Sequence, residues 1–237
     1  RRLVRVCAEG RAGVHPAAVV LPSERQGMRA SLSTHSSLSM RARVCILSRA
    51  ARTPKYNVAN LHAGCVELYV KKNAKLRYST IENWSKNMYN LNTKRAKVGK
   101  NATMEWISGS FGSHISYLYP MTILAGENAK AEFTGITFAG KGQNLDTGAK
   151  VIHTGENTSS YINTRSISKD GGISTFRSSV VIGKGAKHSK AAVSCQSLML
   201  DDISRSDTIP AMDIRTKDAN VGHEAKLEKS VTMQYFI

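Results

Sequence analysis

VKKNAKLRYS (70–79), VGKNATMEWI (98–107), AGENAKAEFT (125–134), TGENTSSYIN (154–163) and IGKGAKHSKA (182–191) are five versions of one phrase. Aligned on Asn73, Asn101, Asn128, Asn157 and Gly185, they recur at intervals of 28, 27, 29 and 28 residues. Self-similarity at such a period is the signature of a solenoid. Each copy opens on a turn sequence rich in Gly, Asn and Lys. Gly and Asn tolerate the left-handed backbone that a sharp corner needs. A run of Val, Ile, Thr, Tyr and Phe follows, which suits a pleated, half-buried strand.

The runs alternate. In Ala102-Thr-Met-Glu-Trp-Ile-Ser108 and Ser159-Ser-Tyr-Ile-Asn-Thr164, apolar residues are separated by polar or small ones, a period of two and not 3.6. No stretch between residues 60 and 215 sustains an amphipathic helix of three turns. Strands, corners and a constant period predict an all-β chain: a β-solenoid whose coils stack and fill a shared interior with aligned side chains. A β-sandwich is the competing all-β architecture, but it requires no repeated corner phrase.

The first 52 residues differ from the rest. They hold ten Arg, no Lys and two acids, whereas residues 53–237 hold eighteen Lys, six Arg and fifteen acids, so the net charge of +17 divides into +8 and +9. Three readings of this leader stand: an Arg- and Ser-rich transit peptide, a basic nucleic-acid tail, or a segment not native to the domain. The abrupt change from Arg-only to Lys-rich usage favours the last. A segment of this kind is expected to be disordered or foreign to the solenoid. The charges of the body are scattered over corners and strand ends without interleaved exposed aromatics, which reads as solvated surface and not as a nucleic-acid face. No run of about 20 apolar residues predicts a membrane span. The four cysteines form neither a CxxC nor a dense disulfide framework, which argues for a reducing compartment.

Cys195 lies in a strand-like run, Ala-Val-Ser-Cys-Gln-Ser-Leu-Met-Leu, where a lone cysteine is by default a small buried hydrophobe. One period on stands Gly222-His-Glu-Ala-Lys226. Coils stand about 4.8 Å apart, so this spacing brings Cys195, His223 and Glu224 within reach of one iron atom. Thiolate, imidazole and carboxylate all suit iron. Neighbours on a strand face opposite ways, so only one of His223 and Glu224 can face Cys195 without a bulge. Other constellations are weaker. Gly140-Lys-Gly-Gln143 lacks the GxxxxGK[ST] pattern of a phosphate loop. Asp201, Asp202 and Asp207 would be the carboxylates of a groove-type carbohydrate enzyme, although an Asp-Asp pair at a corner is ordinarily a solvated turn. His153 reads as a hydrogen-bonded structural histidine.

Three longer runs carry a resemblance: AKLRYSTIENWSKNMYNLNTKRA (74–96), GQNLDTGAKVIHTGENTSSYINTRSISKDGG (142–172) and FRSSVVIGKGAKHSKAAVSCQSLMLDD (176–202), with GHEAK at 222–226. Over about residues 53–229 the chain resembles the SufB/SufD family of iron–sulfur cluster assembly proteins, the SufB branch more than SufD. The resemblance implies a right-handed parallel β-helix core over 53–229. It implies a non-enzymatic scaffold for nascent iron–sulfur clusters in a cytoplasmic SufBCD-type complex, although the Arg-rich leader leaves a plastid or another organelle open. The implied partners are a SufC-like ATPase, a SufD-like paralogue or second SufB copy, and a sulfur donor of SufE/SufU type; reduced flavin is associated with some such complexes. By position, Cys195 matches the family's cluster-ligand cysteine, Glu224 the acidic residue near it, and His223 its neighbour. Glu82 and Trp84, in IENW, and Lys94, in TKRA, match positions linked with passage of sulfur through the β-helix. Two departures stand out. Ala51 occupies the position of a sulfur-accepting cysteine, and residues 230–237 are a short tail where the family continues into a helical domain that docks on SufC. The resemblance favours Glu224, with Cys195, as the metal ligand.

Overall fold

The computed structural model describes residues 58–229 and, before them, the backbone of four strands: β1 (Leu3–Ala8), β2 (Val14–Ala17), β3 (Arg29–Met40) and β4 (Val44–Arg52). The expectation that residues 1–52 stand apart from the solenoid falls on a segment of which only the backbone of these four strands is described, and the expected short tail at 230–237 lies outside the described residues. The described chain continues as β5 (Asn60–Val70), β6 (Lys75–Asn83), β7 (Met88–Val98), β8 (Thr103–Ser110), β9 (Ile115–Leu118), β10 (Met121–Leu124), β11 (Lys130–Ala139), β12 (Asn144–His153), β13 (Ser159–Ser168), β14 (Ile173–Ile182), β15 (Ser189–Met199), β16 (Arg205–Ile214) and β17 (Ala219–Lys229). No described helix is long and apolar enough to cross a membrane.

Successive strands alternate between two sheets. One runs β6-β8-β11-β13-β15-β17 and the other β5-β7-(β9, β10)-β12-β14-β16, with every ladder among these strands parallel. The result is a β-solenoid of six coils, two strands per coil, and not a sandwich, whose sheets would be antiparallel. β3 and β4 pair in parallel with β5 and β6.

Alternation sets the inner and outer faces. On one sheet Tyr78, Trp106, Phe133, Ile162 and Val193 stack in register, all buried. On the other, Val70, Val98, Leu124, His153 and Ile182 do the same. Each large apolar member contributes about 1.5–3 kcal/mol of burial. His153 fits this apolar column as a neutral ring. Its Nδ1 lies 2.8 Å from Thr158 Oγ1 and its Nε2 2.9 Å from Ser160 Oγ, and burial pushes its pKa down to about 4.

The corners hold the repeat. Asn73, Asn101, Asn128 and Asn157 take φ of 61°, 54°, 57° and 55°. Their side chains form a ladder: Asn101 Nδ2 donates to Asn73 Oδ1 at 3.2 Å and Asn128 Nδ2 to Asn101 Oδ1 at 3.0 Å. The fifth corner corrects the expected alignment. His188, with φ of 56°, takes the left-handed position, and Gly185 does not. Asn157 N–H donates to Lys187 O just as Asn128 N–H donates to Glu156 O, so His188 is the structural equivalent of Asn157. This corner, residues 183–188, is longer than the others, and shared letters had aligned the wrong residue. Close packing of the corners also demands glycine: a Cβ on Gly126 would lie 2.0 Å from Lys100 N.

One wall is interrupted. Pro120 lacks an N–H, and the strand divides there into β9 and β10. Arg95 Nη1 bridges the break, donating to Lys94 O and Tyr119 O at 3.0 Å each.

Candidate functional site

Inward positions of a solenoid are expected to be apolar, and in the first described coil they are not. β6 turns Thr80 and Glu82 inward, and β7 turns Asn90, Asn92 and Lys94 inward, because all share the buried phase of their strands. Lys94 Nζ pairs with Glu82 Oε1 at 2.9 Å, each side chain 7 % exposed, and donates to Thr80 Oγ1 at 3.2 Å. Asn90 Nδ2 donates to Glu82 Oε2 at 2.6 Å, and Asn92 Nδ2 donates to Asn90 Oδ1 at 3.0 Å. Burial raises the Glu82 carboxyl, but the Lys94 charge and the hydrogen bonds from Lys94 and Asn90 outweigh it and hold the group below its ordinary value. The pair is therefore ionised and matched. Trp84 follows β6 directly; its ring centroid lies 4.4 Å from that of His62. Its indole Nε1 is buried with no hydrogen-bond partner among the described residues. Backbone register sets Ala51 opposite Glu82.

From this cluster a seam of small side chains crosses the stack. Thr80, Ser108, Gly135, Thr164 and Cys195 occupy one register position in five successive coils. Beside them run Glu82, Ser110, Thr137, Ser166 and Ser197. An internal cavity follows the seam, lined by Ser108, Gly135, Thr164, Ser166 and Ser197, with Phe133 and Phe176 against it. Ser166 Oγ donates to Ser197 Oγ at 2.8 Å. Cys195 closes the line, buried, with its thiol pushed up by burial and partly drawn back by the Thr164 hydroxyl.

His223 and Glu224 lie one coil beyond, with a register that differs from the expected one. Cys195 pairs with Ala225, Ser194 with Glu224 and Val193 with His223. Local spacing is thus 30 residues and not 28, an even difference that leaves parity unchanged. Parity then puts His223 on the face of Cys195 and Glu224 on the opposite face, the reverse of the expected arrangement. Glu224 instead lies near Lys226. Among the described residues no three His, Cys, Asp or Glu side chains are grouped to hold a metal ion.

The remaining candidates have structural partners. Asp201 accepts the backbone N–H groups of Asp170, Ile203 and Ser204, fixing a corner. Asp202 pairs with Lys229, and Asp207 with Arg205. The carboxylates of a carbohydrate-cleaving groove are thereby engaged. In Gly140–Gln143 the Gln143 amide accepts from Gly140 N–H and donates to Ser113 O, closing a turn. Sequence reasoning missed Thr80, Asn90, Asn92 and Thr164. A signal existed: in Met88-Tyr-Asn-Leu-Asn-Thr-Lys94 the polar residues fall on the phase that should be apolar.

Comparison with known proteins identifies the family of the chain. Residues 30–236 match the family model described as "SUF system FeS cluster assembly, SufBD core domain", a match that begins inside the Arg-rich segment. The chain is 48 % identical over 183 residues to the iron-sulfur cluster assembly SufBD family protein ML0593 of Mycobacterium leprae, covering 77 % of this chain and 21 % of that protein. It is 46 % identical over 183 residues to SSP1857 of Staphylococcus saprophyticus, described by the same family name, covering 77 % and 39 %. The chain thus spans about a fifth to two fifths of these relatives. The chain belongs to the SufBD core family of the SUF iron–sulfur cluster assembly system.

Proposed function

We propose that this β-solenoid is a scaffold component of a SufBCD-type complex, on which nascent iron–sulfur clusters are built for transfer to other proteins. The supporting observation is the seam. A buried charged cluster, a line of hydroxyls and glycine, and an inward cysteine occupy the part of the interior where apolar filling would give more stability. In this reading sulfur enters beside Glu82, Trp84 and Lys94 and passes along Ser108, Gly135 and Thr164. At Cys195 it meets iron, with the thiolate as ligand. The cluster is the substrate of this chemistry. One thiolate leaves iron under-coordinated, so further ligands come from His223 or Glu224 and from a SufD-like paralogue or second copy. A SufC-like ATPase would supply ATP hydrolysis, and a SufE/SufU-type donor the sulfur. No observation supports a flavin, and it is not part of the reading.

The test is anaerobic reconstitution with iron, sulfide and a SufD-like partner, followed by visible charge-transfer absorption. Cys195→Ser loses the band while keeping its fold. His223→Ala and Glu224→Ala identify which neighbour supports it. A Cys195→Ser chain that holds its cluster as well as the parent overturns the assignment and returns Cys195 to a packing role.

A further inference from the structure

The internal cavity has one weak wall. Leu118 and Pro120 line it; Leu118 ends β9, and Pro120 precedes β10. The strand ladders stop at Leu118, paired with Asn92 and Thr147, and resume at Met121, paired with Arg95 and Lys150. Tyr119 and Pro120 therefore pass Lys94 on one neighbouring coil and Gly148 on the other outside any ladder. Pro120 has no N–H to give, and Lys150 N–H donates to its carbonyl at 2.9 Å. Segments with few main-chain bonds open locally at low free-energy cost.

Side chains on the outer face hold this wall shut. Tyr119 lies on bare Gly148, where a Cβ would come within 2.9 Å of its ring carbon Cδ1. Its hydroxyl bonds the Asp146 carboxylate. Burial, and then that carboxylate, push the phenol above its ordinary value, so it stays protonated and donates. Asp146 is buried and is gripped in turn by Arg177, whose Nε stands 3.0 Å from both carboxylate oxygens and whose Nη2 stands 2.9 Å from Oδ2. The latch thus ties the break to β12 and β14 on the next two coils, while Arg95 ties it to the coil before. We propose that Leu118–Met121 is a side port of the cavity, latched by Tyr119, Asp146 and Arg177, through which a small uncharged solute exchanges with the interior. Size and lining select that solute. The cavity, about 20 Å³, holds little more than a water, and the hydroxyls of Ser108, Thr147 and Thr164 offer it hydrogen bonds. Water and hydrogen sulfide fit this description. The port rests on the cavity wall and not on the use of the seam by sulfur. Where sulfur does use the seam, the port is a second entrance for free hydrogen sulfide.

The test places a thiol in the cavity of the full chain, Ser108→Cys, and measures its oxidation by hydrogen peroxide, read by mass spectrometry on the peptide that holds position 108. The bulky tert-butyl hydroperoxide is the size control, and hydrogen exchange reports local opening. Adding Tyr119→Phe removes one hydrogen bond and keeps the ring. Oxidation by hydrogen peroxide then rises about fivefold, and exchange rises over residues 117–124. Arg177→Met, which frees Asp146, acts in the same direction. Oxidation by tert-butyl hydroperoxide does not change, and exchange in β5 and β6 stays as in the parent. The proposal is overturned if Tyr119→Phe leaves oxidation by hydrogen peroxide unchanged, or if both peroxides gain equally. It is also overturned if exchange rises throughout the solenoid, since that reports general loosening and not a port.

Discussion

Lys94 and Glu82 each carry a charge into an interior that would tolerate neither alone. Their attraction offsets desolvation only because Thr80 and Asn90 complete the hydrogen bonding. Removing one partner leaves the other charge stranded, so Lys94→Met should cost about 3–5 kcal/mol in urea unfolding. The double variant Lys94→Met/Glu82→Gln should cost clearly less than the sum of the two single variants; additive losses would mean that the pair is not coupled. His153 gives a second prediction at this scale. Its folded pKa is about 4 against an ordinary 6.5. Above pH 6.5 both states hold a neutral ring and the burial is fully tolerated. As pH falls from 6.5 towards 4, the unfolded chain takes up a proton that the folded chain refuses, and stability drops by roughly 3 kcal/mol. His153→Gln should show a shallower pH slope across that window. Of these residues, Glu82, Lys94 and Trp84 were legible through resemblance and His153 through alternation. Asn90, Asn92 and Thr164 were not, because their importance arises from what lies across the interior and not from any neighbour in sequence.

At the scale of elements, the corner and not the strand carries the repeat. Four asparagines accept the left-handed backbone that other L-residues resist by about 1–2 kcal/mol. Asn101 also links the side-chain ladder in both directions. Asn101→Ala should therefore lower stability by about 1–2 kcal/mol, and Asn101→Gly by less. At the fifth corner His188 holds the same backbone, so His188→Asn should raise the melting temperature, and a fall would show that the imidazole makes a contact worth more than the strain. The fold class was readable because period-two alternation and the corner phrase agree. The register beyond Ile182 was not, because an extended corner preserves letters while moving the left-handed position. Spacing of 28 or 30 residues puts the same residue, His223, on the face of Cys195; the preference for Glu224 came from the resemblance alone.

At the scale of the whole molecule, the six described coils from β5 to β17 stack so that each touches only its neighbours, and stability is close to a sum of nearest-neighbour terms. The seam is a line of weakness that the stack retains through five coils, since hydroxyls and glycine there bury less apolar area than the adjoining column of Tyr78, Trp106, Phe133 and Ile162. If the seam were an accident of packing, blocking it would leave delivery of sulfur to Cys195 unchanged. Ser108→Leu separates the two possibilities. Ser108 lines the internal cavity and sits one coil beyond Thr80; the cavity, about 20 Å³, holds little more than a water, so a leucine overfills it and blocks the seam. Overpacking should cost about 1–3 kcal/mol, so the variant is compared at a temperature where it stays folded. Cluster formation driven by a sulfur-donor protein should fall, because sulfur must pass that point between Lys94 and Cys195. Chemical reconstitution with free iron and sulfide should be much less affected, because those small ions do not depend on delivery along the seam by a donor protein. Equal loss in both assays would point to damage at Cys195 itself. No loss in either would mean that the polar seam is structural and that sulfur reaches Cys195 by another route.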